Sequence, residues 1–334
     1  MKRRQSGAAL LAAMLTVTLV ATFASAALWQ QFRSTEVESA ERIRVQSGWL
    51  LTGSLDWARL ILREDARARG GNADHLAEPW SVPLNEARLS SFLAVDQSAS
   101  VTEREAFLSG QITDLQSRLN VANLVEGGAI SERALGAFER LFDRLSLDPQ
   151  ELNTLAGRLL RVSIATQGAT SAKGGSIRSA AVSTTDGGSL MPQRVEQLAW
   201  LGLSPQSLAA LRPYIVLLPV PTPVNLNTAS AEVIYASTPG LDMADAQRLI
   251  AARERSHFRT LADAGQAIGG QPGRFVDGQQ GVSSQFFEVV GQLRLDNVVV
   301  REYSVVRRDG DAVRVLSRDR GAVADLPAAT PSRP

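Results

Sequence analysis

The sequence has no cysteine and only two histidines among its 334 residues. It therefore offers no disulfide, no thiolate nucleophile and no cysteine-based metal site. His75 and His257 lie far apart in the chain and have no partners at ligand spacing. The formal net charge is +1, so no overall basic field would recruit nucleic acid.

Motifs of the common enzyme classes are also missing. The sequence contains no G-x-S-x-G nucleophile elbow, no GxxxxGK[ST] phosphate loop and no GxGxxG dinucleotide fingerprint. Its carboxylates are scattered over capping and surface positions, and the spacing alone places no pair in one site. We therefore predict that the protein is not an enzyme, and we assign it no catalytic residue, no metal ligand and no cofactor.

What the sequence does have is a long uncharged run near its N-terminus. Lys2, Arg3 and Arg4 precede Gly7, and no residue from Ala8 to Leu28 is charged. About 20 such residues in a helix span the hydrocarbon core of a bilayer. Because basic residues stay on the cytoplasmic side, this pattern predicts a cytoplasmic N-terminus and a head outside the cytoplasm.

Three interpretations of this run are open. It is a permanent single-pass anchor, a secretory signal cut after Ala26, or a prepilin-type leader cut after Gly7 with the apolar segment retained. The next 41 residues, 29–69, contain no proline and have apolar residues at helical spacing, which predicts an amphipathic helix continuous with the apolar one. These apolar residues are Val37, Ile43, Val45, Trp49, Leu50, Leu55, Trp57, Ile61 and Leu62. Such a two-part helix is typical of pilins and favours the third interpretation.

Further along the chain, the apolar pattern changes from helical to strand-like. Residues 131–161 have the pattern of two helices, whereas 106–114 and 284–318 alternate as strands do. We interpret 72–104 as irregular and the tail from Gly321 as disordered. A three-stranded meander at 284–318 cannot bury its apolar face alone, so we expect it to pack on the N-terminal helix, with the helices as an insertion.

A short repeat marks two helix starts within that insertion. The segments 145–150 and 201–206 share a pattern in which Asp148 or Ser204 caps a helix whose first residue is proline. A third start follows Pro239-Gly240-Leu241, where Asp242 is the expected cap.

The segment 224–268 looks like a helix-hairpin-helix unit. Such units often bind DNA by directing hairpin amides at a phosphate beside basic residues. Here Asp242 stands where a DNA binder avoids an anion, and the charge balance of 224–270 is slightly acidic. We therefore expect the hairpin to pack helices and expect no nucleic-acid partner. A membrane-anchored periplasmic DNA-binding protein is the alternative function.

Several motifs in a fixed order carry a family resemblance. They are the leader Lys2-Arg3-Arg4-Gln5-Ser6-Gly7, Glu78-Pro79-Trp80, the block 114–124, Leu211-Arg212-Pro213-Tyr214, the block 224–253, and Ser284, Phe286, Gly291 and 301–307. With these motifs the chain resembles the K subunit (GspK family) of the type II secretion system, a minor pseudopilin. The resemblance covers most of the chain.

The resemblance implies an α+β, pilin-like fold: a long N-terminal helix and a small antiparallel sheet, with a large all-α insertion that contains helix-hairpin-helix-like units. It implies cleavage by the prepilin peptidase between Gly7 and Ala8 and N-methylation of Ala8. It further implies a single-pass inner-membrane protein with a periplasmic head, at the tip of the pseudopilus with the I and J minor pseudopilins and in contact with the inner-membrane assembly platform. The function implied is to initiate and cap the pseudopilus for export of folded proteins across the outer membrane.

The expected organisation follows the chain in order. It comprises a leader at 1–7, a membrane segment at 8–28, the amphipathic helix and first part of the head at 29–116, the helical insertion at 117–283 with its hairpin unit at 224–268, strands at 284–320 and a tail at 321–334.

One residue and one loop depart from wider family patterns. The fifth residue of the mature chain is Ala12, whereas most pilin-like subunits have a glutamate there; the K family shares this departure. A carboxylate in an apolar zone is costly unless paired, and a subunit with no neighbour above it has no use for one. The family's calcium loop would fall at 163–190, which we expect to be a mobile loop. Asp186 is its only acidic residue, so we assign no calcium ligands.

Overall fold

The computed structural model describes residues 6–68, 73–88, 106–171, 190–270, 274–295 and 298–322. One helix, α1 (Ser6–Ala68), accounts for 63 of them. The sequence has no proline over this range, so nothing interrupts the backbone hydrogen bonds. At about 1.5 Å per residue the helix is roughly 95 Å long.

The second half of α1 lies on a five-stranded antiparallel sheet. The strands are β1 (Leu84–Arg88), β2 (Ala106–Asp114), β3 (Phe286–Leu295), β4 (Val298–Asp309) and β5 (Ala312–Ala322), in that spatial order. Their inward side chains meet Leu51, Leu55 and Leu62 of the helix in two adjoining apolar clusters. We refer to α1 with this sheet as the body.

Two features hold the helix close to the sheet. Gly291 lies under it, where a Cβ atom would come within 3.2 Å of the Ser54 hydroxyl and 3.3 Å of a Leu51 methyl. On β4, the buried carboxylate of Glu302 pairs with Arg318 and Arg320 of β5 at 2.7 and 2.6 Å, and Arg318 also donates to the Thr52 hydroxyl of α1 at 2.9 Å. Burial of such a carboxylate requires these charged donors.

The remaining helices form a module inserted between two neighbouring strands. In the register of β2 against β3, Asp114 faces Phe287, so a hairpin turn would suffice to join them. Instead, the intervening chain builds its own core, which is the largest in the protein. The helices are α2 (Glu132–Leu145), α3 (Pro149–Ser171), α4 (Pro205–Leu211), α5 (Ala231–Ser237), α6 (Met243–Arg255) and α7 (Leu261–Ala267).

Short elements complete the module. They are the 3₁₀ turns Leu115–Ser117, Val121–Leu124 and Val195–Leu201, and the two-residue strand pairs Leu119–Asn120 with Ile215–Val216, Val125–Glu126 with Ala129–Ile130, and Val224–Asn225 with Gln280–Gly281. A further 3₁₀ turn, Pro79–Ser81, precedes β1 in the body.

The predicted helix caps are present. The Asp148 carboxylate accepts a hydrogen bond from the backbone N–H of Gln150. The Ser204 hydroxyl accepts from Ser207 N–H at 3.1 Å. The Asp242 carboxylate accepts from the third residue of α6, Asp245 N–H, at 2.6 Å.

Other predictions were wrong in part. The segment 72–104, interpreted as irregular, contains β1, an edge strand of mostly polar residues that pairing with β2 stabilises. The expected loop 163–190 begins inside α3, which continues to Ser171, and Asp186 lies outside the described residues. Gly321 lies in β5, and the rest of the tail is outside the described residues. The strand 106–114, the two helices in 131–161 and the antiparallel meander were right.

Apolar residues of α1 also lie on a second face of the helix, which the sequence analysis did not predict. Leu55 and Leu62 are buried against the sheet, but Val45 and Trp49, on the other side of the helix, are exposed. The pattern was interpreted as one amphipathic stripe, whereas the apolar residues of this helix occupy two faces.

Candidate functional site: the anchor helix and the junction of body and insertion

The first half of α1 has the properties of a membrane anchor. Gly7 and Ala8 lie in its first turn, and Ala12 is exposed one turn further on. An 18-residue window in this half has a mean hydropathy of 2.0, and the head buries none of it. The hydroxyls of Thr16, Thr18 and Thr22 donate to backbone carbonyls three residues earlier, at 2.8–2.9 Å. These bonds satisfy the polar groups without water, as a bilayer requires.

The second candidate site is a buried polar cluster where the insertion meets the body. Its centre is Asp114, the last residue of β2, which is fully buried. One of its oxygens, Oδ2, accepts hydrogen bonds from the hydroxyls of Thr228 and Ser284, each at 2.6 Å, and from the Asn225 amide at 3.1 Å. The other oxygen accepts from Gln116 N–H at 2.8 Å. Asp114 thus connects the body to the start of the 224–268 segment.

Arg308 of β4 forms the second half of this cluster. Its guanidinium donates to Asp65 near the end of α1 at 3.1 Å and to Asp74 at 2.5 Å. It also donates to the Ser284 carbonyl at 2.9 Å and lies over the Phe287 ring. Both carboxylates are almost completely buried, so Arg308 supplies the charge that makes their burial tolerable.

Burial controls the ionisation of the central carboxylate. It raises the pKa of Asp114, as does the nearby negative charge of Asp74, and the resulting pKa is about 6 instead of 3.8. The hydroxyl donors Ser284 and Thr228 and the Gln116 amide act in the opposite direction, because they stabilise the charged form. Asp114 therefore titrates between mildly acidic and neutral pH.

The two histidines, which are far apart in the sequence, form a stacked pair. Their rings are 3.8 Å apart and nearly parallel. His75 follows α1, whereas His257 follows α6 in the insertion, so the stack is another body–insertion contact. The His75 ring also accepts from Ala77 N–H and contacts the buried Glu78 carboxylate at 3.2 Å. No sequence spacing could have foreseen this pair, because only the tertiary fold brings the two loops together.

A cluster of three buried carboxylates at this junction lies apart from the loop 163–190 that was considered for calcium. Oxygens of Asp65, Asp74 and Glu78 lie within 4.8 Å of one another. However, Arg308 already neutralises the first two, and the Trp80 indole N–H donates to Glu78. Calcium needs free oxygen ligands without a competing cation, so these residues do not fit a calcium site. We derive no role for calcium from them.

The 224–268 segment contains three helices, of which α5 and α6 are joined by a turn with Gly240 at φ +70°. Two of its four arginines bond to groups within the chain. Arg253 donates to the carbonyls of Leu226 and Ala229 at 2.7 and 2.6 Å, and burial lowers its pKa to about 10. Arg248 pairs with Asp245. These contacts do not favour phosphate binding, and the helix-hairpin-helix assignment itself stays a prediction.

An apolar anchor helix that continues across a small antiparallel sheet, with a helical module inserted between two strands, defines a membrane-anchored pilin-like subunit. Two family models for the type II secretion system protein K match the sequence, one over residues 117–220 and the other over 224–283. The chain belongs to this protein K family. Its class is therefore that of the minor pseudopilins, which are structural subunits of a protein-secretion system.

Two similar proteins match most of the chain. Type II secretion system protein K of Pseudomonas aeruginosa is 26% identical over 337 residues, which cover 96% of this chain and 94% of the relative. The crystal structure of the GspK–GspI–GspJ complex from enterotoxigenic Escherichia coli contains a chain with a TM-score of 0.61 and 14% identity, covering 84% of this chain and 98% of that one. At that identity the structural match shows the shared fold alone.

Proposed function

We propose that this protein is the tip subunit of the pseudopilus, which initiates and caps the filament that exports folded proteins across the outer membrane. In this proposal the prepilin peptidase cleaves between Gly7 and Ala8, and Ala8 is then N-methylated. The mature helix stays in the inner membrane, with the N-terminus on the cytoplasmic side and the head in the periplasm. The basic residues Lys2, Arg3 and Arg4 support that orientation.

The observation that carries the tip position is the side chain at the fifth mature residue. Ala12 is exposed on an apolar helix, and the first acidic residue after it is Glu36. A pilin-like subunit uses a carboxylate at this position to pair with the terminal amine of the subunit above it. A subunit that lacks the carboxylate fits the one position with no subunit above.

The proposed partners are the I and J minor pseudopilins and the inner-membrane assembly platform. The similar E. coli chain was crystallised in a GspK–GspI–GspJ complex. The structural match to this protein covers 98% of that chain. The junction supports a head that acts as one piece, because Asp114 and Arg308 connect the inserted module to the body through buried hydrogen bonds.

The test of processing is mass spectrometry of the chain from its native host, after separation of membrane and soluble fractions. We expect a membrane-bound chain that begins with methylated Ala8. A soluble chain that begins at Ala27 would show secretory cleavage instead and would overturn the proposal. An uncut chain that starts at Met1 would agree with a membrane anchor. It would exclude cleavage after Gly7 and therefore a processed pseudopilin.

The test of function is deletion of the gene in that host. Secreted enzymes should accumulate in the periplasm, and the full-length chain supplied in trans should restore export. A Gly7→Leu chain, which the peptidase would not cleave, should fail to restore it although the head is unchanged. Salt-resistant DNA binding by the purified chain would instead favour the DNA-binding alternative.

A further inference from the structure

Two aromatic side chains stand where the apolar run of α1 ends. Trp29 directly follows Leu28, and Phe32 lies one turn later on the same side of the helix. We call these two residues the aromatic pair. Their exposed fractions are 73% and 69%, so the described head does not cover them. Tryptophan is enriched at the boundary between hydrocarbon and lipid headgroups, because its ring is apolar and its N–H is a hydrogen-bond donor.

The length of the apolar run places Trp29 at that boundary. Ala8–Leu28 comprises 21 uncharged residues. Such a segment extends about 32 Å in a helix, and the hydrocarbon core of a bilayer is about 30 Å thick. When Ala8 lies at the cytoplasmic surface of the core, Trp29 therefore lies where the acyl chains end on the periplasmic side.

The sequence after Trp29 becomes polar within one turn of the helix. Gln30 and Gln31 come next, and Arg33 is the first charged residue after the apolar run. Arg33 is four residues from Trp29 and lies on the same side of the helix. A long basic side chain just outside the core can extend to the lipid phosphates. The order of apolar, aromatic and basic residues thus follows the layers of a bilayer from core to headgroups.

Beyond this boundary α1 crosses water before it reaches the head. Ile43 is the first residue of α1 that packs in an apolar cluster of the head. The helix rises about 21 Å between Trp29 and Ile43. An exposed ion pair between Arg42 and Glu38, with a distance of 2.9 Å, lies on this segment and is suited to solvent. The aromatic pair, and not the head, is therefore the part of the chain that meets the periplasmic surface of the bilayer.

Cleavage after Gly7 would make the aromatic pair more important. It removes Lys2, Arg3 and Arg4, which hold the cytoplasmic end of the uncut helix at the membrane surface. No charged side chain from Ala8 to Leu28 resists a shift of the helix along the membrane normal. In the processed chain, the depth of the helix depends on the terminal amine at one surface and on the aromatic pair at the other.

We propose that the aromatic pair is a lipid-headgroup site that fixes the depth of α1 in the inner membrane, and with it the height of the head above the periplasmic surface. The ligand is the headgroup layer, whose phosphate and ester oxygens accept from the Trp29 indole N–H while both rings lie against the outermost acyl carbons. This inference rests on the part of the proposed function that keeps the helix in the membrane, and not on the tip position.

The first test is tryptophan fluorescence of the full-length mature chain in liposomes. The lipids carry a nitroxide quencher either at the headgroup or at the end of an acyl chain. Trp49, the next tryptophan of the helix, is about 30 Å further from the membrane than Trp29. We expect the headgroup nitroxide to quench at least about twofold more than the chain-end nitroxide, and we expect this difference to vanish in Trp29→Phe. Stronger quenching from the chain end, or equal quenching of the variant and the wild type, would overturn the proposal.

The second test uses the absence of cysteine in the natural chain. Single cysteines replace Ala27, Gln31 or Thr35, which are spaced four residues apart on the side of α1 away from Trp29, so that the indole does not shield them. They are labelled with a membrane-impermeant maleimide in spheroplasts of the native host. We expect Ala27→Cys to react at least about tenfold more slowly than Thr35→Cys, with Gln31→Cys between them. Equal rates at positions 27 and 35 would place the boundary elsewhere and contradict the proposal.

Removal of the aromatic pair should move this boundary. Trp29→Leu combined with Phe32→Leu keeps both side chains apolar but removes the preference for the interface, so the helix can sink and draw Gln31 into the core. We expect Gln31→Cys to react at least about fivefold more slowly in this background. Trp49→Leu is the control, because Trp49 is equally exposed at 75% but lies far from the membrane, and it should leave the rates unchanged. An unchanged rate in the double variant would overturn the proposal.

Two further comparisons separate the remaining outcomes. A chain found only in the soluble fraction would overturn the membrane anchor, and with it both the proposed function and this inference. A membrane-bound chain whose labelling ignores the aromatic pair would overturn this inference alone. If Gln31→Cys is protected in the host but not in liposomes of the purified chain, a protein and not lipid covers the aromatic pair, and the headgroup site is wrong.

Discussion

At the scale of single residues, the buried carboxylate of Asp114 links the stability of the head to pH. Its pKa is raised to about 6 in the folded chain, above the value of 3.8 for a free aspartate. The native state therefore binds more protons than the unfolded state between these two values, so the contribution of Asp114 to stability falls as pH rises through that window. The linked free energy is on the order of 3 kcal/mol.

Replacement of Asp114 by asparagine tests this linkage. The amide oxygen can still accept from Thr228 and Ser284, but the amide NH₂ then faces the Gln116 N–H, so we expect a loss of about 1–3 kcal/mol near pH 4. Toward pH 7 the deficit relative to wild type should shrink, because the wild-type chain must then bury a charge and the variant does not. The measurement is chemical denaturation of the detergent-solubilised chain from pH 4 to 7. A pH-independent difference would exclude a raised pKa.

Arg308 is the other residue on which the junction depends. Arg308→Met keeps the bulk over Phe287 but removes the guanidinium that pairs with the buried Asp65 and Asp74, so we expect a loss of about 3–5 kcal/mol. The control is Arg314→Met on the exposed face of β5, for which we expect a change within about 0.5 kcal/mol. Equal denaturation midpoints for the two variants would show that the buried ion pairs contribute little.

At the scale of elements, the contact of α1 with the sheet depends on one small residue. A side chain at Gly291 would collide with Leu51 and Ser54, so Gly291→Val should separate helix and sheet and cost about 1–3 kcal/mol. Gly321→Val is the matched control, because Gly321 is also a strand glycine but has no atom within 4 Å of its ideal Cβ position. Thermal denaturation should show a lower Tm for the first variant only; an unchanged Tm would mean that α1 can shift without loss.

At the scale of the whole molecule, the body should fold without the insertion. Because Asp114 faces Phe287 across β2 and β3, an Asn-Gly turn can replace residues 115–286 and join the strands as a hairpin. We expect the shortened chain to remain in the membrane with its antiparallel sheet, as measured by circular dichroism, but to support no export. An unfolded or degraded product would show that the junction contacts, and not the sheet alone, are needed for the body to fold.

The tip position predicts the effect of a carboxylate in the anchor. With no subunit above to pair with it, the charge of Ala12→Glu would cost about 2 kcal/mol or more in the apolar zone, and export should fall. Ala12→Ser introduces a polar group without charge, and we expect near-normal export. Normal or improved export by Ala12→Glu would indicate a subunit above this chain and contradict the tip position.

The sequence alone determined those parts of the protein that depend on local pattern. The uncharged run from Ala8 to Leu28 and the absence of proline in α1 predict one long helix, because helix formation needs only neighbours along the chain. Alternation predicted the strand 106–114 and the meander, and the caps Asp148, Ser204 and Asp242 follow from the residue before each helix. The order of the motifs was sufficient to predict the family.

Tertiary structure decided everything that depends on contacts between distant segments. β1 is too polar and short to be predicted and exists because β2 offers it hydrogen bonds. The stack of His75 on His257 and the buried bonds of Asp114 join residues from different parts of the chain, and periodicity carries no information about such pairs. The same is true of the two faces of α1: the sequence shows where its apolar residues are, but only the position of the sheet shows that Leu55 and Leu62 are buried and that Val45 and Trp49 are exposed.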